Sequence, residues 1–265
     1  MKKEDVDIFE EILKVREGNK RGALVTVVET EGSTPQKPGA KMIVLEDKSI
    51  IGTIGGGIIE KFIIDKAVEA IKKNKIELVH YALDEKAEGI QTGMICGGNM
   101  RIFIEPLNNI SHFYIFGAGH IGRNLYKLAI LNGFKVYLFD DVKEHLNKEI
   151  YTEAEKLIYG NFKDTIPAIN FYNPAYILIA TKSHISDEIV LYELLKQNLD
   201  FKYLGMIASK NKAETIKSHL KDKGISEELL NKVKSPAGIN IKSKTPFEIA
   251  ISVMAEVINI KNSTQ

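Results

Sequence analysis

Gly117, Gly119 and Gly122 fall at G-x-G-x-x-G spacing between two short apolar runs, residues 113–116 and 135–139. Between the runs, Ile121, Leu125, Leu128 and Ala129 recur at helical spacing. Asp140 and Asp141 follow the second run. Strand, glycine turn, helix, strand and acid in this order describe a dinucleotide-binding βαβ unit. Gly117 permits the tight turn, Gly119 leaves room for a pyrophosphate, and Gly122 lets the helix pack closely on the strand. Free N–H groups at the helix start attract an anion. His120, inside the turn, can donate to a phosphate or be a simple loop residue. Asp140 stands 23 positions after Gly117, where an acid bonds a ribose 2′-hydroxyl. A Rossmann scaffold that binds nothing fits the same pattern, because a fold does not fix a function.

Beyond residue 111 the alternation continues, with candidate strands at 113–116, 135–139, 156–159, 175–181 and 203–208. Helical patterns follow at 186–196, 212–223 and 226–232, and Thr245-Pro246 with Glu248 caps a final helix. The expectation is a Rossmann-like, doubly wound parallel sheet. The first half reads differently: a helix at 5–17, strands at 23–28, 41–45, 49–54, 76–81 and 100–105, and a helix at 58–73. Residues 106–111 form a short polar linker. The chain is therefore expected to be α/β throughout. A small N-terminal α/β domain with glycine-rich loops spans 1–108, and the Rossmann-like domain spans 109–265.

Three glycine loops lie in the first half: Gly32-Ser33-Thr34-Pro35, Gly52-Thr53-Ile54-Gly55-Gly56-Gly57 and Cys96-Gly97-Gly98-Asn99. Gly55, Gly56 and Gly57 precede a helix, so their N–H groups could cradle a phosphate. No Lys-Ser/Thr follows, which excludes a P-loop. Hairpin turns with glycine at positive φ are the plainer reading. Cys96 is the only cysteine. Its thiolate would be a soft metal ligand and a sulfur acceptor, with Gly97 and Gly98 leaving its surroundings open; alternatively it is a small buried apolar side chain. Glu60, in the first turn of the helix, is explained by the helix dipole alone, and Glu105 before Pro106 by the end of a strand.

Ligands on open α/β sheets sit at the carboxyl ends of strands. Besides His120 and Asp140, that edge should gather Lys182, Ser183, His184, Asp187, Ser209 and Lys210. His184 could bind a cofactor, serve as a metal ligand or act as an acid–base group, with Asp187 as its partner; a helix cap and a solvated histidine is the competing account.

A net charge of +1 with dispersed acids and bases gives no nucleic-acid face. One cysteine excludes an intrachain disulfide and a Cys-x-x-Cys metal site. No apolar run approaches the length of a membrane span, and the charged start lacks a signal core. These features lead to the expectation of a cytoplasmic protein without a membrane or nucleic-acid partner.

The chain resembles the XdhC/CoxI family of accessory factors for molybdenum hydroxylases. The likeness is carried by Gly32-Ser33-Thr34-Pro35, Gly52-Thr-Ile-Gly-Gly-Gly with Glu60, Cys96-Gly-Gly with Glu105-Pro106, and Gly117-Ala-Gly-His-Ile-Gly. It continues through Tyr203-Leu-Gly-Met-Ile-Ala-Ser-Lys, Ser235-Pro-Ala-Gly-Ile-Asn-Ile and Thr245-Pro-Phe-Glu-Ile-Ala. The resemblance implies binding of molybdenum cofactor (molybdopterin), help in its sulfuration with a cysteine desulfurase, and insertion into a xanthine dehydrogenase-like molybdenum hydroxylase. It makes the protein a maturation factor more than a catalyst. Some relatives carry a cysteine near the position of Ile58; this chain does not. A thiol role, including any at the metal, therefore rests on Cys96. A homodimer is expected, since a partner could close an exposed cleft. The alternative is an NAD-dependent oxidoreductase or a nucleotide-sensing protein that binds NAD or another adenine nucleotide, with Asp140 and Asp141 favouring NAD over NADP.

Overall fold

The computed structural model describes residues 7–18, 20–82, 98–107, 110–172, 175–197, 199 and 201–263. The chain divides between Asn109 and Ile110 into two compact units.

The first unit contains α1 (Ile8–Glu17), β1 (Gly22–Gly32), β2 (Lys41–Leu45), β3 (Ile50–Gly52), α2 (Gly57–Lys73), β4 (Glu77–Ala82) and β5 (Gly98–Leu107). The strands form one antiparallel sheet in the order β3-β2-β1-β5-β4. Helix α2 presents Ile59, Ile63, Ala67, Ala70 and Ile71 to Ala23, Val25, Val27, Ile102 and Ile104, and these side chains form the core. Helix α1 adds a smaller cluster with Ile43 and Leu45. Strand β3 is shorter than its β-branched residues suggest, because Gly52 turns the chain at φ +81°. Strand β5 begins at Gly98 and runs through Pro106 to Leu107. Glu105 therefore pairs with Leu24 inside a strand and does not terminate one. Pro106 is tolerated there because β4 reaches only as far as Ile104, so β5 has a single partner strand at that point.

Strand β1 carries an irregularity. Ala23, Val25 and Val27 are buried on the α2 side. Between Val27 and Glu29 the register with β5 shifts, and Val28 has no opposite residue. One extra residue reverses the alternation of everything after it. Glu29 and Glu31, which would continue the core-facing series, instead stand exposed opposite Arg101 and Asn99.

The second unit contains β6 (His112–Phe116), α3 (His120–Leu131), β7 (Lys135–Asp140), β8 (Lys156–Tyr159), α4 (Phe162–Thr165) and β9 (Ala175–Ile179). It continues with α5 (His184–Leu195), β10 (Phe201–Met206), α6 (Lys210–Asp222), α7 (Glu227–Lys232) and α8 (Pro246–Asn262). All neighbours in its sheet are parallel, in the order β10-β9-β6-β7-β8. Strand β6 is central and buried at every residue, as a parallel strand covered on both faces must be. Tyr114 and Phe116 join the core on one face with α5 and α6, and Phe113 and Ile115 the core on the other with α3 and α8. The chain leaves β6 for β7 and β8, then crosses back to β9, so the topological switch point lies between β6 and β9. A single parallel bridge, Gly205 to Lys234, adds the start of a sixth strand beside β10. The Thr245–Glu248 capping box opens α8 as its sequence predicts.

Two expected boundaries move for identifiable reasons. Strand β9 stops at Ile179, because Asp187 binds Thr181 through both its N–H and its hydroxyl. Helix α5 starts at His184 and not at 186, because Ser183 caps it by accepting from Ser186 N.

At the amino end of β6, His112 is buried, stacked on Tyr172 at 4.3 Å between ring centroids, with Nδ1 3.1 Å from Tyr137 Oη. Burial, helped by the charge of Lys135, pushes its pKa down to about 4. In the unfolded chain the imidazole takes up its proton near pH 6.5. The unfolded state therefore binds more protons between these values, and stability falls as pH falls from about 6.5 towards 4, by up to about 3 kcal/mol. Urea melts at pH 7 and pH 4.5 should show a smaller difference for His112→Asn than for the parent.

Candidate functional site

The glycines of the Rossmann turn separate into two kinds. Gly117 has φ +108°, and a Cβ there would collide with the Ala180 carbonyl oxygen. A Cβ on Gly122 would collide with the Gly117 carbonyl oxygen. The fold itself demands both. Gly119 has φ −67°, and a Cβ there would meet nothing within 4 Å. It caps α3 without a side-chain bond, so its open side lies at the start of that helix. His120 follows as the first residue of α3, with its side chain exposed.

Asp140 is placed at the end of β7, but its carboxylate is engaged by the chain. Oδ2 accepts from Ala118 N at 2.7 Å and lies 3.1 Å from His145 Nδ1, while Oδ1 accepts from Val142 N at 2.8 Å. The residue is only 5% exposed. Tyr151 donates to the Ala118 carbonyl oxygen at 2.8 Å, and its burial pushes the phenol up to about 12. Ala118 is thus held through both backbone groups, which fixes the turn before any ligand arrives. The more exposed acid is Asp141, paired with Lys182 at 2.9 Å. These two residues follow β7 and β9, the strands on either side of β6, so the ion pair bridges the edge around the glycine turn.

The hydrogen bonds of Asp187 go to Thr181, and His184 acts on it through charge. Asp187 is buried and accepts from Thr181 N at 3.0 Å and Thr181 Oγ1 at 2.6 Å. Burial raises its pKa against the lowering effect of these bonds. His184 is exposed at the first position of α5.

In the first unit the Gly32–Pro35 loop lies against the middle glycine loop and against Gly98, the first described residue of the third. A Cβ on Gly55 would lie 2.7 Å from Pro35 Cβ, and one on Gly98 would collide with the Ser33 carbonyl oxygen. The Gly32–Pro35 loop therefore touches both of the others. Glu60 fills the middle loop. Its Oε2 accepts from Thr53 Oγ1 at 2.5 Å, Ile54 N at 3.1 Å and Gly56 N at 3.2 Å. Of the N–H groups expected to cradle a phosphate, that of Gly56 donates to the Glu60 carboxylate and that of Gly55 to Thr53 Oγ1 at 3.1 Å, so a phosphate would meet a carboxylate there while Glu60 stays. Gly56, at φ +73°, faces open space, and Gly57 begins α2. Cys96 and Gly97 lie outside the described residues. Among the described residues, no group of three His, Cys, Asp or Glu side chains could hold a metal ion, and no helix is long and apolar enough to cross a membrane.

Residues 113–257 match the XdhC Rossmann domain, and residues 15–82 match the XdhC and CoxI family. The chain belongs to the XdhC and CoxI family. It is 34% identical over 259 residues to the uncharacterised protein YqeB of Escherichia coli (strain K12), covering 97% of this chain and 47% of that one. It is 26% identical over 160 residues to a probable xanthine dehydrogenase subunit of Bacillus subtilis (strain 168), covering 60% and 46%. It is 22% identical over 272 residues to the molybdenum cofactor insertion chaperone PaoD of Escherichia coli (strain K12), covering 91% and 84%. The chain spans about half the length of the first two relatives. A crystal structure of a xanthine dehydrogenase from Bacillus halodurans shares the fold, with a TM-score of 0.53 at 20% identity over 98% of this chain and 96% of that one.

Several structural residues of this XdhC and CoxI family chain escaped the reading of its sequence. Glu256 on α8 accepts from Tyr203 Oη and from Gly238 N, each at 2.8 Å. It thereby fastens the 235–241 loop to β10. Tyr151 and His145 brace the glycine turn. No spacing rule announces the partners of Glu256 and Tyr151, because each pair is far apart in sequence, and His145, five residues after Asp140, stands in a turn without a recognisable pattern. Glu60 was legible in principle: it stands four residues after Gly56, one helical turn into α2.

Proposed function

We propose that this protein binds molybdenum cofactor, assists its sulfuration, and delivers it to a xanthine dehydrogenase-like molybdenum hydroxylase in the cytoplasm. One observation carries this reading: both units match one accessory-factor family in order, and one relative covered over most of its length is a molybdenum cofactor insertion chaperone. Cys96 would take sulfur from a cysteine desulfurase, and Gly97 and Gly98 would leave space beside it. The glycine loops would supply the surroundings; Gly55, Gly56 and Gly57 would contribute shape, since Glu60 occupies the Gly56 N–H and Thr53 that of Gly55. A homodimer would complete the arrangement.

The open side of Gly119 favours a second ligand, an adenine nucleotide, on the Rossmann unit. Its phosphates would lie at Gly119 and His120, between Gly117 and Gly122. NAD(H) would be preferred over NADP(H), because Asp141, with Asp140 behind it, repels a 2′-phosphate. The nucleotide would regulate delivery. An oxidoreductase is the less supported alternative, because exposed His184 is the only acid–base candidate.

Protein purified from a molybdenum-replete host should carry molybdenum and pterin in step, and should activate an apo-hydroxylase. Purified protein with neither cofactor nor effect on the hydroxylase would remove the delivery reading.

A further inference from the structure

The displaced register of β1 brings Glu29 and Glu31 to a cleft of about 310 Å³, lined also by His80, Tyr81, Asn99, Met100 and Arg101. The register aligns His80, Arg101 and Glu29 across three strands, with Asn99 and Glu31 one row beyond. Arg101 Nη1 donates to Glu29 Oε2 at 2.8 Å, and Asn99 Nδ2 to Glu31 Oε2 at 3.3 Å. Glu31 thus receives one long bond among the described residues, and most of its acceptor capacity stays open. Arg101 retains further donors. On the apolar side of the row lie Leu78, 47% exposed, and Phe103.

Two carboxylates against one guanidinium leave the cleft acidic, so it repels phosphate. Its chemistry suits a ligand that donates two parallel N–H groups and accepts beside them. A 2-amino-4-oxopyrimidine edge does this: the ring N–H and the amino group meet a carboxylate, and the carbonyl meets a neighbouring donor. The size is that of a small-molecule pocket, and bulges commonly re-aim side chains beside functional sites. We propose that this cleft is a pterin-recognition site, in which Glu31 accepts from the amino-oxopyrimidine edge while Asn99 and Arg101 donate to its carbonyl. The choice of pterin over guanine rests on the delivery reading.

Free pterin (2-amino-4-oxopteridine) can be titrated by its fluorescence into the full chain, with the uncharged nucleosides guanosine and cytidine as competitors. Pterin should bind, guanosine should compete, and cytidine, whose ring lacks the paired donors, should not. Glu31→Gln should weaken pterin binding about 10- to 100-fold, with melting within about 2 °C of the parent. No saturable binding at millimolar pterin, or equal binding by Glu31→Gln, overturns the site. Tighter binding of guanosine than of pterin overturns the choice of pterin. Molybdenum content measured on the same preparations separates this idea from delivery. Parent and Glu31→Gln proteins that retain the cofactor equally remove the pterin site and leave delivery standing. A parent that retains none removes delivery, and the pterin titration still decides the cleft.

Discussion

Alanine at Gly122 should destabilise the second unit by about 3 kcal/mol or more, while alanine at Gly119, three residues earlier, should leave it intact. At Gly122 a methyl group would run into the Gly117 carbonyl oxygen, a backbone atom that cannot swing aside. Separating α3 from β6 would relieve the clash only by opening a core that includes Leu125 and Ala129. The melting temperature should fall by about 10 °C. At Gly119 the φ of −67° suits alanine, and the methyl group enters open space. Stability should hold or rise slightly, because the unfolded chain loses freedom. That same methyl group would occupy the approach to the α3 N–H groups, so NADH affinity should drop about tenfold or more in calorimetry. Unchanged binding by Gly119→Ala would remove the nucleotide role assigned to this turn.

Cys96→Ser should abolish activation of a client hydroxylase without unfolding the protein. A hydroxyl neither carries sulfur nor binds a soft metal as a thiolate does. With no second cysteine in the chain, nothing within one copy can substitute. If the thiol were only a packing element, Cys96→Ala would cost about 1 kcal/mol, and cofactor retention would track the amount of folded protein. Melting and hydroxylase activation should therefore be measured on one preparation. A folded Cys96→Ser protein that activates its client like the parent would exclude sulfur transfer through this residue.

Much of the second unit was legible because its signals are local. The run before Gly117, the helical spacing of Leu125 and Ala129, and the run ending at Asp140 each lie within one βαβ unit, and β-strand burial on both faces makes the runs continuous. Parallel order follows once such units repeat. The contacts of Asp140 were not legible in the same way. Its position matched the ribose-binding acid, yet the carboxylate faces Ala118, 22 residues away, and His145 on a turn that left no pattern. The displacement at Val28 was equally silent: Val27, Val28 and Glu29 read as an ordinary end of a β-branched run. Only the pairing with β5 reveals which face Glu29 and Glu31 occupy.

The carboxylate of Glu60 in the turn before α2 has a consequence for selectivity in a crowded solution. Backbone N–H groups gathered by positive-φ glycines attract any small oxyanion, and inorganic phosphate and sulfate far outnumber a scarce pterin cofactor. A tethered competitor at high effective concentration keeps these ions out. Only a molecule that makes additional contacts elsewhere can displace it. The loop is thus shaped for an anion yet shielded from common ones, and the shield is a single side chain held by Thr53, Ile54 and Gly56.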